Sequence, residues 1–121
     1  MKPLVYVSAP YTDDPVGNTR RAIEAAAYLL DGGWVTPLVP HLSLMWDLVA
    51  PRPYQSWIAY DLALVAKCDA VYRLPGASRG ADAEVAEARR LSVPVFTTTD
   101  TLYGWAAGGP VETPSLFEGA S

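Results

Sequence analysis

The stretch GASRGADAE, residues 76–84, gathers a serine, two glycines, an arginine and two carboxylates in one place. CDAVYRLP before it ends like a buried strand, and VAEARRLSVPVF after it reads as a helix leading into another strand. Ser78 and Gly80 at such a junction would precede a helix N-terminus, whose free N–H groups and positive dipole end favour an anion such as phosphate. An ordinary N-cap serine in a tight turn fits the same letters. Glu84, about one turn into the helix, is a carboxylate that the dipole would keep ionised, as a nucleophile at neutral pH requires. Asp82 competes for that role, and a plain surface glutamate is the alternative. The spacing matches neither a Walker loop nor a GxGxxG fingerprint.

Asp61 is the second carboxylate of interest. Its neighbours three and four residues away on a helix are Trp57, Ile58, Leu64 and Val65, so it belongs on or beside an apolar stripe. Burial there raises the pKa of a carboxyl toward the range of a general acid. A position at the edge of the stripe, capping a loop, is the alternative. Tyr11 follows the first strand and is the better phenol candidate, with Tyr6 assigned to the core. His41, the lone histidine, directly follows Pro40 in a loop and counts either as a substrate-facing residue or as a satisfied loop residue. The four tryptophans read as core or interface residues, Trp46 alone falling in a loop of the site.

The elements that position these residues alternate. PLVYVSAP is a first strand at about residues 3–8. Ala22, Ile23, Ala26, Ala27 and Leu30 recur at helical spacing from Asn18 until Gly32 and Gly33 stop the pattern. WVTPLVP is a second strand, and PHLSLMWDLVAPRP reads as a proline-interrupted loop without a long helix. A helix from Pro53 to Lys67, a strand in CDAVYRLP, a helix to about Leu91, a strand in VPVFTTT and a short helix DTLYGWAA complete the series. Such alternation implies parallel pairing, hence an α/β fold: a small three-layer parallel sheet of flavodoxin-like or Rossmann-like kind. Ligands in such sheets collect beyond the carboxyl ends of the strands, where SAPYTDD, PHLSLM and GASRGADAE all fall.

The 121 residues suit one domain, 1–121, with 108–121 as a C-terminal tail. Half the residues are hydrophobic, yet no run is long enough to span a membrane, and MKPLVYVSAPYTDD turns polar too soon for a signal peptide. A soluble, cytoplasmic protein is expected. One cysteine and one histidine are too few for a zinc cluster, so no metal and no cofactor are expected. A net charge of −4 without blocks of like charge gives a nucleic acid or an anionic membrane nothing to bind. A small anion remains possible.

With Ser8-Ala9-Pro10-Tyr11 after the first strand, Asp61 on the second long helix and Ser78-x-Gly80-x-x-x-Glu84 opening the next, the chain resembles the nucleoside 2-deoxyribosyltransferase superfamily. The resemblance runs from about residue 3 to 97 and points to the branch that hydrolyses nucleoside 5′-monophosphates. It implies a retaining mechanism in which Glu84 attacks the anomeric carbon and Asp61 assists departure of the base. Ser78 would bind the 5′-phosphate, Tyr11 would stand near nucleophile and base, and Ser8 would be the small polar contact of the first loop. Gly80, Asp82 and His41 would line the substrate. The chain departs from the pattern in offering Thr12, Asn18 and Arg20 where vertebrate-type hydrolases have glycines and arginines. The asparagine that a neighbouring subunit supplies in the transferases has no match in TPSLFEGAS. A homodimer is implied, and a transferase or a noncatalytic nucleotide-binding module are the alternative readings.

Overall fold

The computed structural model describes residues 1–108; the expected tail at 108–121 thus lies, Gly108 apart, outside the described residues. Strand β1 (Leu4–Ser8) leads into helix α1 (Pro15–Gly32), followed by β2 (Thr36–Leu38), a 3-10 turn (Pro40–Leu42) and α2 (Ser43–Val49). Helix α3 (Tyr54–Val65), β3 (Ala70–Arg73), α4 (Arg79–Arg90), β4 (Val95–Phe96) and α5 (Thr99–Ala106) complete the order. The four strands form one parallel sheet in the order β2-β1-β3-β4, so β1 and β3 are its centre. The register sets Tyr6 beside Val71 and Ser8 beside Arg73.

Alternation along β1 decides which side chain meets which helix. Val5 and Val7 pack with Ala22, Ala26, Leu29 and Leu102 on the side covered by α1 and α5. Tyr6 points the other way and packs with Val65, Val71 and Ala88 under α3 and α4. Burying side chains such as Leu29 and Leu102, both fully inaccessible, stabilises the fold by roughly 1.5–3 kcal/mol each. No helix among the described residues is long and apolar enough to cross a membrane.

Several local readings change. In α1 the buried residues are Thr19, Ala22, Ala26 and Leu29, whereas Ile23 and Leu30 are exposed. These four form the buried stripe, at spacings of three and four, and Ile23, Ala27 and Leu30 each lie one position off it. The helix begins at Pro15, capped by Asp14, and ends on Gly33 in the left-handed region. The segment expected as a loop after β2 contains α2, seven residues long, because Pro40 can open a helical turn and Pro51 comes only after it has finished. Asp47 ties this helix onward by accepting from the Arg52 backbone N–H and from Trp57 Nε1. β4 is reduced to two residues because Thr98 leaves the strand to cap α5.

Candidate active site

β1 and α4 build the centre of the site between them. Residues 6 and 8 share a face of β1, and that face looks at α4. Tyr6 donates its phenolic hydrogen to Glu84 Oε2 at 2.8 Å, and Ser8 donates to Glu84 Oε1 at 2.7 Å. Tyr6 and Ser8 are wholly buried and Glu84 is 7% exposed. Both carboxylate oxygens therefore have a donor inside the protein. Burial pushes the Glu84 carboxyl up from its ordinary value, while Ser8, Tyr6 and the Arg73 cation pull it back. The helix dipole is not what holds the charge: Glu84 lies beyond the first turn of α4, where the dipole has faded. The two hydroxyls take that role.

Asp61 comes from α3 and is half-buried. Burial, followed by the charge of Glu84, pushes its carboxyl up to about 7. Its Oδ1 is buried without a hydrogen-bond partner among the described residues. Asp61 and Glu84 line one cleft with Tyr11, His41, Ser78 and Gly80, enclosing about 520 Å³ of empty space, its solvent-filled mouth included. No lysine or arginine lines it.

The remaining expected residues divide. Ser78 is the N-cap of α4, accepting from the Ala81 N–H at 3.1 Å, and it also lines the cleft. Because its oxygen accepts, its own hydrogen is free to donate to a ligand. A Cβ on Gly80 would meet Tyr54 Oη at 3.5 Å and Ile58 Cδ1 at 3.9 Å, which is ordinary contact. His41 is 4% exposed, and its Nε2 lies 2.8 Å from the Pro10 carbonyl oxygen, which can only accept. The ring thus carries its hydrogen on Nε2, and burial lowers its pKa, favouring the neutral form. It fixes the first loop, with its ring edge against Tyr11. Asn18 holds the same loop from α1 by donating to the Tyr11 and Thr12 carbonyl oxygens.

Two residues fall outside the cleft wall. Ser8 stands behind Glu84 and reaches the site only through it. Asp82 has its side chain 77% exposed and paired with Arg73 at 3.4 Å, since position 82 lies on the outer flank of α4. Tyr6, assigned to the core, is there but also touches Glu84; the signal was its place two residues before Ser8 on one strand. Arg73, to which no sequence motif points, also supports the site. It sits at the end of β3 and donates to the Leu74 and Gly76 carbonyl oxygens, folding the loop that delivers Ser78. Gly76 is required in that loop: its φ is +118°, and a Cβ would lie 2.8 Å from Pro10 Cγ of the first loop. Tyr54 and Trp57 of α3 also line the cleft. Burial pushes the Cys68 thiol up to about 11, so it stays protonated. No group of three or more metal-ligating side chains occurs among the described residues.

Residues 3–98 match a family described as Domain of unknown function (DUF7768). The chain belongs to that family. No curated protein matches the sequence. Among solved structures, a 2-desoxiribosyltransferase from Leishmania mexicana is similar at a TM-score of 0.56 and 21% sequence identity, covering 77% of this chain and 61% of that one. This chain therefore spans less than two thirds of that protein's length. The likeness is one of fold and agrees with the α/β architecture and its all-parallel sheet.

Proposed function

We propose that this DUF7768 chain hydrolyses the N-glycosidic bond of a nucleoside 5′-monophosphate, with Glu84 as nucleophile and Asp61 as acid. One observation carries the reading: two carboxylates share a cleft, and only one of them has both oxygens supplied with donors. In this reading Glu84 is the anion, held by Tyr6 and Ser8, and Asp61, with its carboxyl pushed up to about 7, is the proton donor. Attack by Glu84 forms a bond from its oxygen to C1′ while the C1′–N bond breaks and its electron pair leaves with the base. Asp61 protonates the departing base. Water then attacks C1′, gives its proton to the Asp61 carboxylate and returns the electron pair to Glu84, so that free base and sugar 5-phosphate are released with configuration retained.

The phosphate would rest on the α4 N-terminus, with the free hydrogen of Ser78 beside it. His41 and Tyr11 would face the base and sugar. The solved structure of similar fold, a 2-desoxiribosyltransferase, favours a second reading, transfer of the sugar to another base. A homodimer is part of the proposal: Leu42, Met45, Trp46, Leu48 and Val49 on and beside α2 are all exposed, an apolar surface that a second copy would cover. Sedimentation reads that assembly; a fully active monomer would refute it.

The deciding experiment incubates the protein with a panel of nucleoside 5′-monophosphates and the matching nucleosides, and follows free base by chromatography. Hydrolysis of a monophosphate in buffer alone is expected. Release that needs a second free base would establish transfer instead, and no release from any compound would remove the enzymatic reading.

A further inference from the structure

We infer that Glu84 attacks through Oε1, the oxygen held by Ser8, and that Ser8 is a positioning residue whose hydroxyl hastens breakdown of the glycosyl ester. The inference rests on the proposed role of Glu84 as nucleophile. Each hydroxyl has one hydrogen to give. In the free protein Tyr6 gives its hydrogen to Oε2 and Ser8 gives its own to Oε1. Once the sugar is attached, one of these becomes the alkyl oxygen of an ester, a poor acceptor, and the other becomes the carbonyl oxygen, a good one.

The two donors differ in where they can turn. Tyr6 has no other hydrogen-bond partner among the described residues and is wholly buried. Esterification at Oε2 would strand its O–H, which is costly for a wholly buried donor. Ser8 has a second acceptor within reach, the Ala81 carbonyl oxygen at 3.5 Å. Esterification at Oε1 lets Ser8 turn to Ala81 while Tyr6 stays on the carbonyl oxygen, so every buried donor keeps an acceptor. When the C1′–Oε1 bond breaks, negative charge returns to Oε1 and Ser8 swings back to meet it. Ser8 therefore stabilises the free carboxylate relative to the ester. Tyr6 serves both states.

The test compares Ser8→Ala, Ser8→Cys and Tyr6→Phe with the parent protein by rapid-quench measurement of base release and by intact mass. For Ser8→Ala a burst of about one free base per site is expected, then a steady rate lower by roughly tenfold or more, the worth of a hydrogen bond to a charged group. A protein mass increased by the sugar phosphate accompanies the burst. Ser8→Cys keeps a weak donor and should accumulate less ester; if the alanine variant does not fold, its burst carries the test. Tyr6→Phe should slow both steps and show no burst. Steady-state rates and base release unchanged in both Ser8 variants overturn the inference while leaving Glu84 as nucleophile. A burst in Tyr6→Phe alone assigns the attack to Oε2. A parent protein that releases no base removes the proposed function and this assignment together.

Discussion

Helices α3 and α4 lie against the same face of the sheet and each brings one carboxylate to the cleft, but they hold it in opposite ways. α4 is anchored through buried Ala81, Glu84 and Ala88, and its carboxylate accepts from Tyr6 and Ser8. α3 buries only Val65 completely, and its carboxylate has an oxygen with no partner. A carboxyl with both oxygens bonded to donors is stabilised as an anion and fixed in direction. One half-buried beside another negative charge is stabilised as an acid. Two groups of the same chemical type meet two different surroundings, and the proposed division of roles rests on that difference.

The largest effect expected from disturbing this division is at Glu84. Glu84→Gln keeps the shape but removes the charge and the nucleophilic oxygen, so turnover should fall by roughly three orders of magnitude or more. Binding of the monophosphate, measured by calorimetry, should persist or tighten, because one negative charge leaves a cleft without a cation on its wall. Near-normal turnover would show that α4 does not supply the nucleophile.

Asp61→Asn attacks the other side of the comparison. Loss of a general acid should lower turnover by about 10²–10⁴-fold. The parent protein should lose kcat/KM above about pH 7, where Asp61 gives up its proton, and the variant should lack that alkaline limb. Stability carries the same signature. A carboxyl whose folded pKa is raised binds its proton more tightly when folded, so its contribution is present at low pH and is lost as pH rises from about 4 to about 7. The buried His41, with its lowered pKa, acts in the opposite sense on acidification. Denaturant unfolding at pH 5 and pH 8 in both proteins isolates the Asp61 part as the difference between their pH slopes. Equal slopes would mean that Asp61 is an ordinary surface carboxyl.

The contrast between the helices was only half legible in the sequence. The apolar neighbours of Asp61 announced its half-burial, and the Ser78–Glu84 spacing announced a capped helix with a carboxylate. What supports Glu84 was hidden, because Ser8 and Glu84 are 76 positions apart and no local pattern encodes their bond. The alternation of β1 did contain it: once a helix is known to cover the face of Tyr6, Ser8 must share that face. The strand order needed the register of the sheet as well. Helix α2 escaped notice because seven residues between prolines give too short a run for a helical period to stand out. Similarly, Ile23, Ala27 and Leu30 recur at helical spacing with Ala22 and Ala26, but the stripe that meets the sheet is centred one position away and takes in Thr19 and Leu29.

The smallest effect is expected at Asp82, which shares α4 with Glu84 but lies on its exposed flank. Asp82→Asn removes the same charge as Glu84→Gln, two residues away. Its partner Arg73 is held independently by the Leu74 and Gly76 carbonyl oxygens, so the loop before α4 should keep its shape. The exposed pair it loses is worth at most about 1 kcal/mol, and loss of a favourable charge in the first turn adds a few tenths of a kcal/mol more. Turnover should stay within a few-fold of the parent protein, roughly the effect of a screened surface charge. Melting temperature and turnover measured side by side for both variants give the decisive contrast. If Asp82→Asn abolished turnover while Glu84→Gln retained it, the catalytic face of α4 would be its exposed flank, and the buried carboxylate would be a structural tie between α4 and β1.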